Sequence, residues 1–216
     1  MSGAGGNRTR WAAIGAVALS LLFAGSAVTV ASAGSDDAPR TPSSDSADAG
    51  FARDMSVHHQ QAVEMSFLVR ERTRDGEVRR LAYDIANTQA NQRGMMLGWL
   101  DLWGLPKVES GTEPMSWMGM GGHGGTGPSD GALMPGMATR TELGRLRAAD
   151  GAEAEVLYLQ LMTDHHKGGV HMAQGCVDTC SVDVERDLAR GMVAAQESEL
   201  KLMADMLRKR GAAPRS

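Results

Sequence analysis

The stretch MTDHHKGGVHM, residues 162–172, has a second copy in the chain, MSVHHQQAVEM, residues 55–65. Both copies follow the pattern M-x-x-H-H-x-x-x-x-x-M, at an offset of 107 residues. The same offset relates TQANQRGMM, residues 88–96, to AQESELKLM, residues 195–203, which share the pattern Q-x-x-[QE]-x-x-x-M. Because one offset aligns two separate segments, the chain contains an internal repeat, and each copy is predicted to be a pair of helices.

Hydrophobic periodicity predicts helices over residues 47–73, 77–103, 151–175 and 182–210, each with one apolar stripe. Short connections within each pair predict antiparallel neighbours, so the long segment 104–150 must cross between the pairs. Within that segment, TRTE at residues 139–142 is typical of a capping box that opens a short fifth helix. The predicted fold class is therefore all-α: a four-helix bundle made of two repeated helical hairpins with a long crossover rich in Met and Gly.

The N-terminus has the features of an export signal. Arg8 and Arg10 precede an apolar run over residues 11–30, and ASA follows at residues 31–33. The run is also about the 20 residues that span a bilayer. Residues 1–33 are therefore predicted to be either a signal peptide or an N-terminal membrane anchor, and the domain is expected outside the cytoplasm in both cases. Residues 34–47 are predicted to be a disordered tether, 48–210 the bundle and 211–216 a tail.

The charge balance argues against one class of partner. The formal net charge is −4, and it becomes −6 without residues 1–33, which carry two arginines and no acid. An acidic exported domain without a basic stripe is a poor binder of nucleic acid. The chain also has no catalytic Ser/His/Asp order, phosphate-binding loop or dinucleotide fingerprint, so the sequence does not predict an enzyme.

Polar side chains lie on the inward stripes of all four predicted helices. His58 and His165 do so on the first and third helices, and Gln89, Gln92, Gln196 and Glu199 on the second and fourth. Leaving such a group buried and unpaired costs about 1–3 kcal/mol. One interpretation is structural: the histidines of one helix hydrogen-bond to the Gln or Glu of its neighbour and fix the register of the bundle.

The other interpretation is a metal site. Each repeat has one Met a turn before its inward histidine and another two turns after it. Imidazole binds Cu, Zn and Ni, and thioether sulfur adds a preference for Cu(I) or Ag(I). Zinc would favour thiolates and carboxylates, and di-iron bundles use Glu-x-x-His, which is absent here. The candidate metal ligands are Met55, His58, His59, Met65, Met162, His165, His166 and Met172, with Gln92, Met96, Glu199 and Met203 as ligands or supporting residues.

Three further histidines and two cysteines are less clearly placed. His59 and His166 fall about 100° from the centre of their stripes, so each is expected either to join a second site or to face solvent. His171 has no counterpart, because Glu64 occupies that position in the first copy. Cys176 and Cys180 are expected to form a disulfide in an exported protein, with a thiolate metal site as the alternative.

The crossover contains a second group of candidate ligands. MSWMGMGGHGG begins at residue 115, and MPGM spans residues 134–137, just before the capped helix. Methionine in a Gly-rich loop is suited to the capture of a soft metal. The alternative is a linker with incidental methionines, or an apolar lid over the bundle. The residues of this possible loop site are Met115, Met118, Met120 and His123.

At these motifs the chain resembles the ferritin-like "domain of unknown function 305" family, over about residues 48–210. The resemblance rests on FARDMSVHHQQAVEM, IANTQANQRGMM, MPGM, LMTDHHKGGVHMA and AAQESELKLM. It implies an exported, ferritin-like helical protein, and some members are periplasmic copper-binding proteins. It therefore implies copper handling, with the Met and His residues of the two HH motifs as ligands. The cysteine pair and MSWMGMGGHGG are not part of the family pattern.

The sequence-based hypothesis is an exported copper-binding protein for sequestration, delivery or resistance, with Cu(I) favoured over Cu(II) or Ag(I). The first alternative is a helical interaction module without a metal. A metal-dependent oxidoreductase of ferritin-like type is a minor alternative. The expected partners are the metal ion, a membrane through the N-terminal segment, and either a second copy of the chain or a copper-handling protein.

Overall fold

A computed structural model describes residues 41–119 and 129–215. It has five helices: α1 (Ala47–Arg72), α2 (Gly76–Leu102), α3 (Arg140–Ala148), α4 (Gly151–Thr179) and α5 (Asp183–Lys209). Helices α1 and α2 form one hairpin, α4 and α5 form the other, and α1 packs on α4. The described ranges contain no strand, so the predicted all-helical bundle of two hairpins is confirmed.

The helix ends follow from local hydrogen bonds. Ser46 accepts a hydrogen bond from the Ala49 N–H at 3.1 Å and begins α1. The predicted capping box is present at the start of α3, where Thr139 and Glu142 bond each other's backbone N–H groups. Helix α4 continues to Thr179, past the predicted end at residue 175, because the Cys180 N–H closes its last turn on the Cys176 carbonyl at 2.8 Å.

The prediction of a disordered tether over residues 34–47 is wrong for its last residues. The Arg53 guanidinium donates to the Ser44 carbonyl and to the Ser44 hydroxyl, both at 2.7 Å. The Ser44 hydroxyl in turn donates to Glu109 at 2.9 Å. These contacts fasten the chain to the bundle before α1 begins. The predicted signal or anchor, residues 1–33, lies outside the described residues, as do Met120 and His123.

None of the helices that the structure describes combines the length and the apolar character needed to cross a bilayer.

The core is divided into two apolar clusters. Met65 of α1 and Met162 of α4 belong to one cluster, and Met55 and Met172 belong to the other. This pairing shows that α1 and α4 run antiparallel, since the first Met of each repeat meets the second Met of the other. The histidines of both repeats lie along α1 and α4 between these two groups of methionines.

The MPGM segment, residues 134–137, crosses the contact between α1 and α4. The Gln61 side chain holds its end, because Oε1 accepts from the Ala138 N–H at 2.6 Å and Nε2 donates to the Ala138 carbonyl at 2.9 Å. On α4 the repeat replaces Gln61 by Gly168. A Cβ atom at Gly168 would overlap the Pro135 carbonyl, and one at Gly136 would overlap the Asp164 carbonyl. Glycine at both positions therefore allows the backbone of the MPGM segment to pack directly on the backbone of α4.

Candidate metal centre

His58 and His165, which the repeat relates to each other, meet face to face between α1 and α4. Their ring centroids are 3.7 Å apart, the ring planes are inclined by 31°, and both side chains are fully buried. His165 Nε2 donates to the His58 carbonyl at 2.9 Å. His58 Nε2 instead donates to the Pro135 carbonyl of the MPGM segment, at 3.2 Å. The pseudo-two-fold axis of the repeat thus passes between the two rings, and the MPGM segment breaks the symmetry.

His59 and His166 complete a layer of four buried histidines. His59 Nε2 lies 2.9 Å from the Gln92 amide oxygen of α2, and His166 Nε2 lies 2.8 Å from a Glu199 carboxylate oxygen of α5. Both side chains are fully buried, so the expectation that they could face solvent is wrong. The reason is that each helix has two neighbours: its central stripe faces the other hairpin, and the flank is covered by its own partner helix.

The hydrogen bonds determine which ring nitrogen carries the proton. The partner of every Nε2 is a carbonyl, amide or carboxylate oxygen, which can only accept. Each neutral ring therefore has its proton on Nε2 and a lone pair on Nδ1. All four Nδ1 atoms are buried and have no hydrogen-bond partner among the described residues. The layer consequently offers four buried Nδ1 atoms that no hydrogen bond uses, and nitrogen atoms of this kind bind metal ions.

Burial keeps these rings in the form that binds metals. Removal from water lowers the pKa of His58 to about 4 and that of His59 to about 3, from an ordinary value of 6.5. The same cause, with the neighbouring histidines adding to it, lowers the pKa of His165 well below that value. These rings are neutral at pH 7, so a metal ion would not have to displace a proton from them.

The candidate methionines lie on both sides of the histidine layer. Met55, Met96 and Met172 belong to one apolar cluster, and Met65, Met162 and Met203 to the other, all fully buried. The structure therefore places the thioether sulfur atoms of these residues in the core, on the same helices as the histidines or on their partner helices.

The crossover methionines Met115 and Met118 pack against the bundle and do not lie in an exposed loop. Met115 is buried and belongs to the same cluster as Met55, and Met118 packs so closely on α4 that a side chain at Gly175 would overlap it. Asp54 fixes this part of the crossover by accepting from the Met115 N–H at 2.7 Å and from the Trp117 indole at 2.9 Å. Met115 and Met118 therefore fit the alternative of an apolar lid over the bundle.

A cleft of about 320 Å³ lies between α2 and α5, lined by Glu77, Arg80 and Asp84 of α2 and by Glu199 and Lys209 of α5, among others. A smaller space between the same helices is lined by Gln89, Gln92, Gln196 and Glu199. Glu199 belongs to both spaces, and its side chain is 25% exposed, whereas that of His166 is 0% exposed. Glu199 thus connects solvent with a buried histidine.

The sequence did not predict two parts of this arrangement. The Pro135 carbonyl orients His58, and Gln61 holds the segment that supplies it. The signal available was the unequal pair Gln61 and Gly168 within an otherwise repeated motif. The clamping role of Gln61 depends on the path of the crossover, which periodicity does not specify.

Fold and site together define a class of protein: a bundle of two repeated helical hairpins with a layer of buried histidines at their contact. The chain belongs to the family described as domain of unknown function, DUF305, whose profile matches residues 48–207. The family resemblance seen in the sequence is confirmed.

Solved structures with the same fold include two proteins of that family. One, from Streptomyces coelicolor and described as secreted, is 66% identical, with a TM-score of 0.74 over 81% of this chain and 99% of that chain. A fragment from Deinococcus radiodurans is 29% identical, with a TM-score of 0.62 over 80% of this chain and 99% of that chain. CopM in its Cu(I)-bound form is 19% identical, with a TM-score of 0.56 over 75% of this chain and 96% of that chain. No curated protein sequence matches the chain.

Proposed function

We propose that this protein binds copper outside the cytoplasm, with Cu(I) as the preferred ion, and that it sequesters or delivers the metal. The observation that carries the proposal is the set of four buried Nδ1 atoms without hydrogen-bond partners among the described residues, on rings whose Nε2 atoms are held by oxygen. Metal-binding histidines typically donate their other N–H to a carboxylate or carbonyl in this way, which fixes the tautomer and the ring orientation.

The ligand atoms available favour a soft ion. Among the described residues, the one group of three or more His, Cys, Asp or Glu side chains with ligand atoms within 4.8 Å of one another is Asp48, Cys180 and Glu185, away from the histidines. A site in the histidine layer would therefore combine one or two imidazoles with methionine sulfur. That combination suits Cu(I) and Ag(I), and it does not suit Zn²⁺.

The relatives support the same proposal. CopM has been crystallised in Cu(I)-, Cu(II)- and Ag-bound forms, at 17–23% identity to this chain. That likeness establishes the shared fold, and the histidine geometry of this chain supplies the separate argument for metal binding. The secreted Streptomyces coelicolor protein and the signal-like residues 1–33 support a location outside the cytoplasm.

We further propose that the ion enters between α2 and α5. Three carboxylates and two cationic groups line the cleft: Glu77, Asp84, Glu199, Arg80 and Lys209. The excess of carboxylate favours cations there. Lys209 bridges the mouth by an ion pair with Glu77 at 3.1 Å. From there Glu199 reaches His166, so the carboxylate that receives the ion also orients a candidate ligand.

The test is a titration of the full chain with Cu(I) against a chelator that competes for it. The His58→Ala/His165→Ala double variant is expected to lose the tight binding, because it removes two candidate ligands at the centre of the layer. His171→Ala is the matched control, since His171 lies exposed on the same helix as His165. Binding by the double variant at wild-type affinity would place the metal elsewhere. Absence of binding by the wild type would favour the alternative of a helical module whose histidines only fix the register.

Glu199→Gln is expected to weaken Cu(I) binding by about tenfold or more, the loss typical of removing a charged group that orients a metal-binding histidine. The neutral amide is a weaker acceptor for the His166 N–H and no longer attracts the cation at the cleft. Competition titration measures the effect, with Glu197→Gln, an exposed neighbour on α5, as the control. Equal affinity in the two variants would remove Glu199 from the site.

A further inference from the structure

A second group of polar side chains lies buried where the start of α1 meets the start of α5. Asp48 of α1 accepts from the Ser181 N–H at 2.9 Å, from the Val182 N–H at 2.7 Å and from the Ser181 hydroxyl at 3.0 Å. Its side chain thus holds the two residues that directly precede α5, from 133 residues away in the chain.

Glu185 lies beside Asp48, in the first turn of α5. It is fully buried, and neither of its carboxylate oxygens has a hydrogen-bond partner among the described residues. Ligand atoms of Glu185, Asp48 and Cys180 all lie within 4.8 Å of one another. Burial and the neighbouring Asp48 also raise the pKa of Glu185 to about 9.

The disulfide between Cys176 and Cys180 closes the other side of this group. Both sulfur atoms belong to buried residues, Cys176 in the last turn of α4 and Cys180 at its end. In the disulfide form the two sulfur atoms are bonded to each other, so neither is a thiolate that could bind a metal ion. The group then offers only two carboxyl groups to a cation, beside a helix N-terminus that disfavours positive charge.

Reduction changes this balance. A dithiol reductant transfers two electrons and two protons to the Cys176–Cys180 disulfide, which becomes two thiols, and the reductant becomes a disulfide itself. The group then offers two thiols, the Glu185 carboxyl and the remaining acceptor site of Asp48. After loss of one proton from each thiol and one from Glu185, the four side chains would carry four negative charges. Two sulfur and two oxygen ligands can form the four-coordinate environment that Zn²⁺ prefers.

We propose that Cys176, Cys180, Glu185 and Asp48 form a site for a thiophilic divalent cation, such as Zn²⁺ or Co²⁺, which exists only while the disulfide is reduced. The site is independent of the copper proposal, because it uses none of the histidines or methionines assigned there.

The experiment is a titration of the full chain with Co²⁺ in the oxidised form and in the form reduced by dithiothreitol, with the reductant removed anaerobically. Co²⁺ bound to thiolate gives a sulfur-to-metal charge-transfer absorption, which histidine ligands do not give. The reduced protein is expected to show this band and to bind one more equivalent than the oxidised protein. The same band must then disappear when Zn²⁺ is added in competition.

Glu185→Gln is the decisive variant, because the amide resembles the protonated side chain that the fold already accommodates. In the reduced form it is expected to lower the Co²⁺ affinity by about tenfold or more, whereas Asp183→Asn, an exposed acid in the same helical turn, leaves it unchanged. Lack of the band in the reduced wild type would overturn the proposal. So would binding of Co²⁺ by reduced Glu185→Gln at the wild-type affinity. The copper titration is made on the oxidised protein, so the two proposals can fail separately.

Discussion

Gly168→Ala is expected to lower the free energy of unfolding by about 3 kcal/mol or more, the upper end of the range for overpacking a core. An alanine Cβ at this position would overlap the Pro135 carbonyl and come too close to the Gly136 N–H. Neither group can move easily, because Gln61 holds the next residue, Ala138, by two hydrogen bonds. The MPGM segment would have to rise from α4, and His58 would lose the carbonyl that holds its Nε2.

Chemical denaturation of the metal-free protein measures this effect. Gly191→Ala on α5 is the matched control, since an added Cβ there meets nothing within 4 Å. Its expected effect is a gain of up to about 1 kcal/mol, from the higher helix propensity of alanine. Wild-type stability in Gly168→Ala would contradict the close contact between the MPGM segment and α4.

Acidification of the metal-free protein from pH 7 to pH 4 is expected to remove several kcal/mol of stability, at about 1.4 kcal/mol for each unit by which a pKa is shifted. Burial lowers the pKa of His58 to about 4 and of His59 to about 3, whereas an unfolded chain takes up these protons near pH 6.5. The unfolded state therefore binds more protons below pH 6.5. The stabilisation that the buried, neutral histidines contribute is complete above pH 6.5, and it is lost as the pH falls toward their pKa values in the folded protein.

Denaturation curves at several pH values check this expectation, with His59→Gln as the variant that removes one titrating group. The free energy of unfolding of the variant should depend less steeply on pH below 6.5. Glu185 acts in the opposite direction, because its raised pKa means that its contribution is present at low pH and is lost as the pH rises toward 9. Glu185→Gln separates the two effects. Equal stability of the wild type at pH 7 and pH 4.5 would contradict the burial of neutral histidines.

The sequence predicted the helices and their pairing because both depend on local patterns. Apolar residues every three to four positions define each helix, and the offset between the two HH motifs showed that the hairpins are copies. The inward position of His58 and His165 followed from the same periodicity. The two residues that the repeat relates are in direct contact.

The remaining parts of the site depend on contacts between elements distant in sequence. His59 and His166 lie on a flank, and only the packing of α2 and α5 shows that this flank is buried. Gln61 and Gly168 differ within the repeat because they contact the crossover in different ways. Gln61 of α1 hydrogen-bonds to it, whereas Gly168 of α4 leaves space for it. Glu185 resembled an ordinary acid of a first helical turn, but it is buried and lies beside Asp48, which is 137 positions earlier in the chain.

The central claim is that the Nδ1 atoms of the buried histidines are the nitrogen ligands for copper. Nitrogen-15 NMR of the histidine side chains, recorded on the full chain before and after addition of Cu(I), tests it directly because Cu(I) is diamagnetic. The expected result is a shift of Nδ1 resonances of the buried histidines, while their Nε2 atoms stay protonated and His171 does not change. Unchanged Nδ1 resonances in all four buried histidines, in a sample that has bound Cu(I), would contradict the claim.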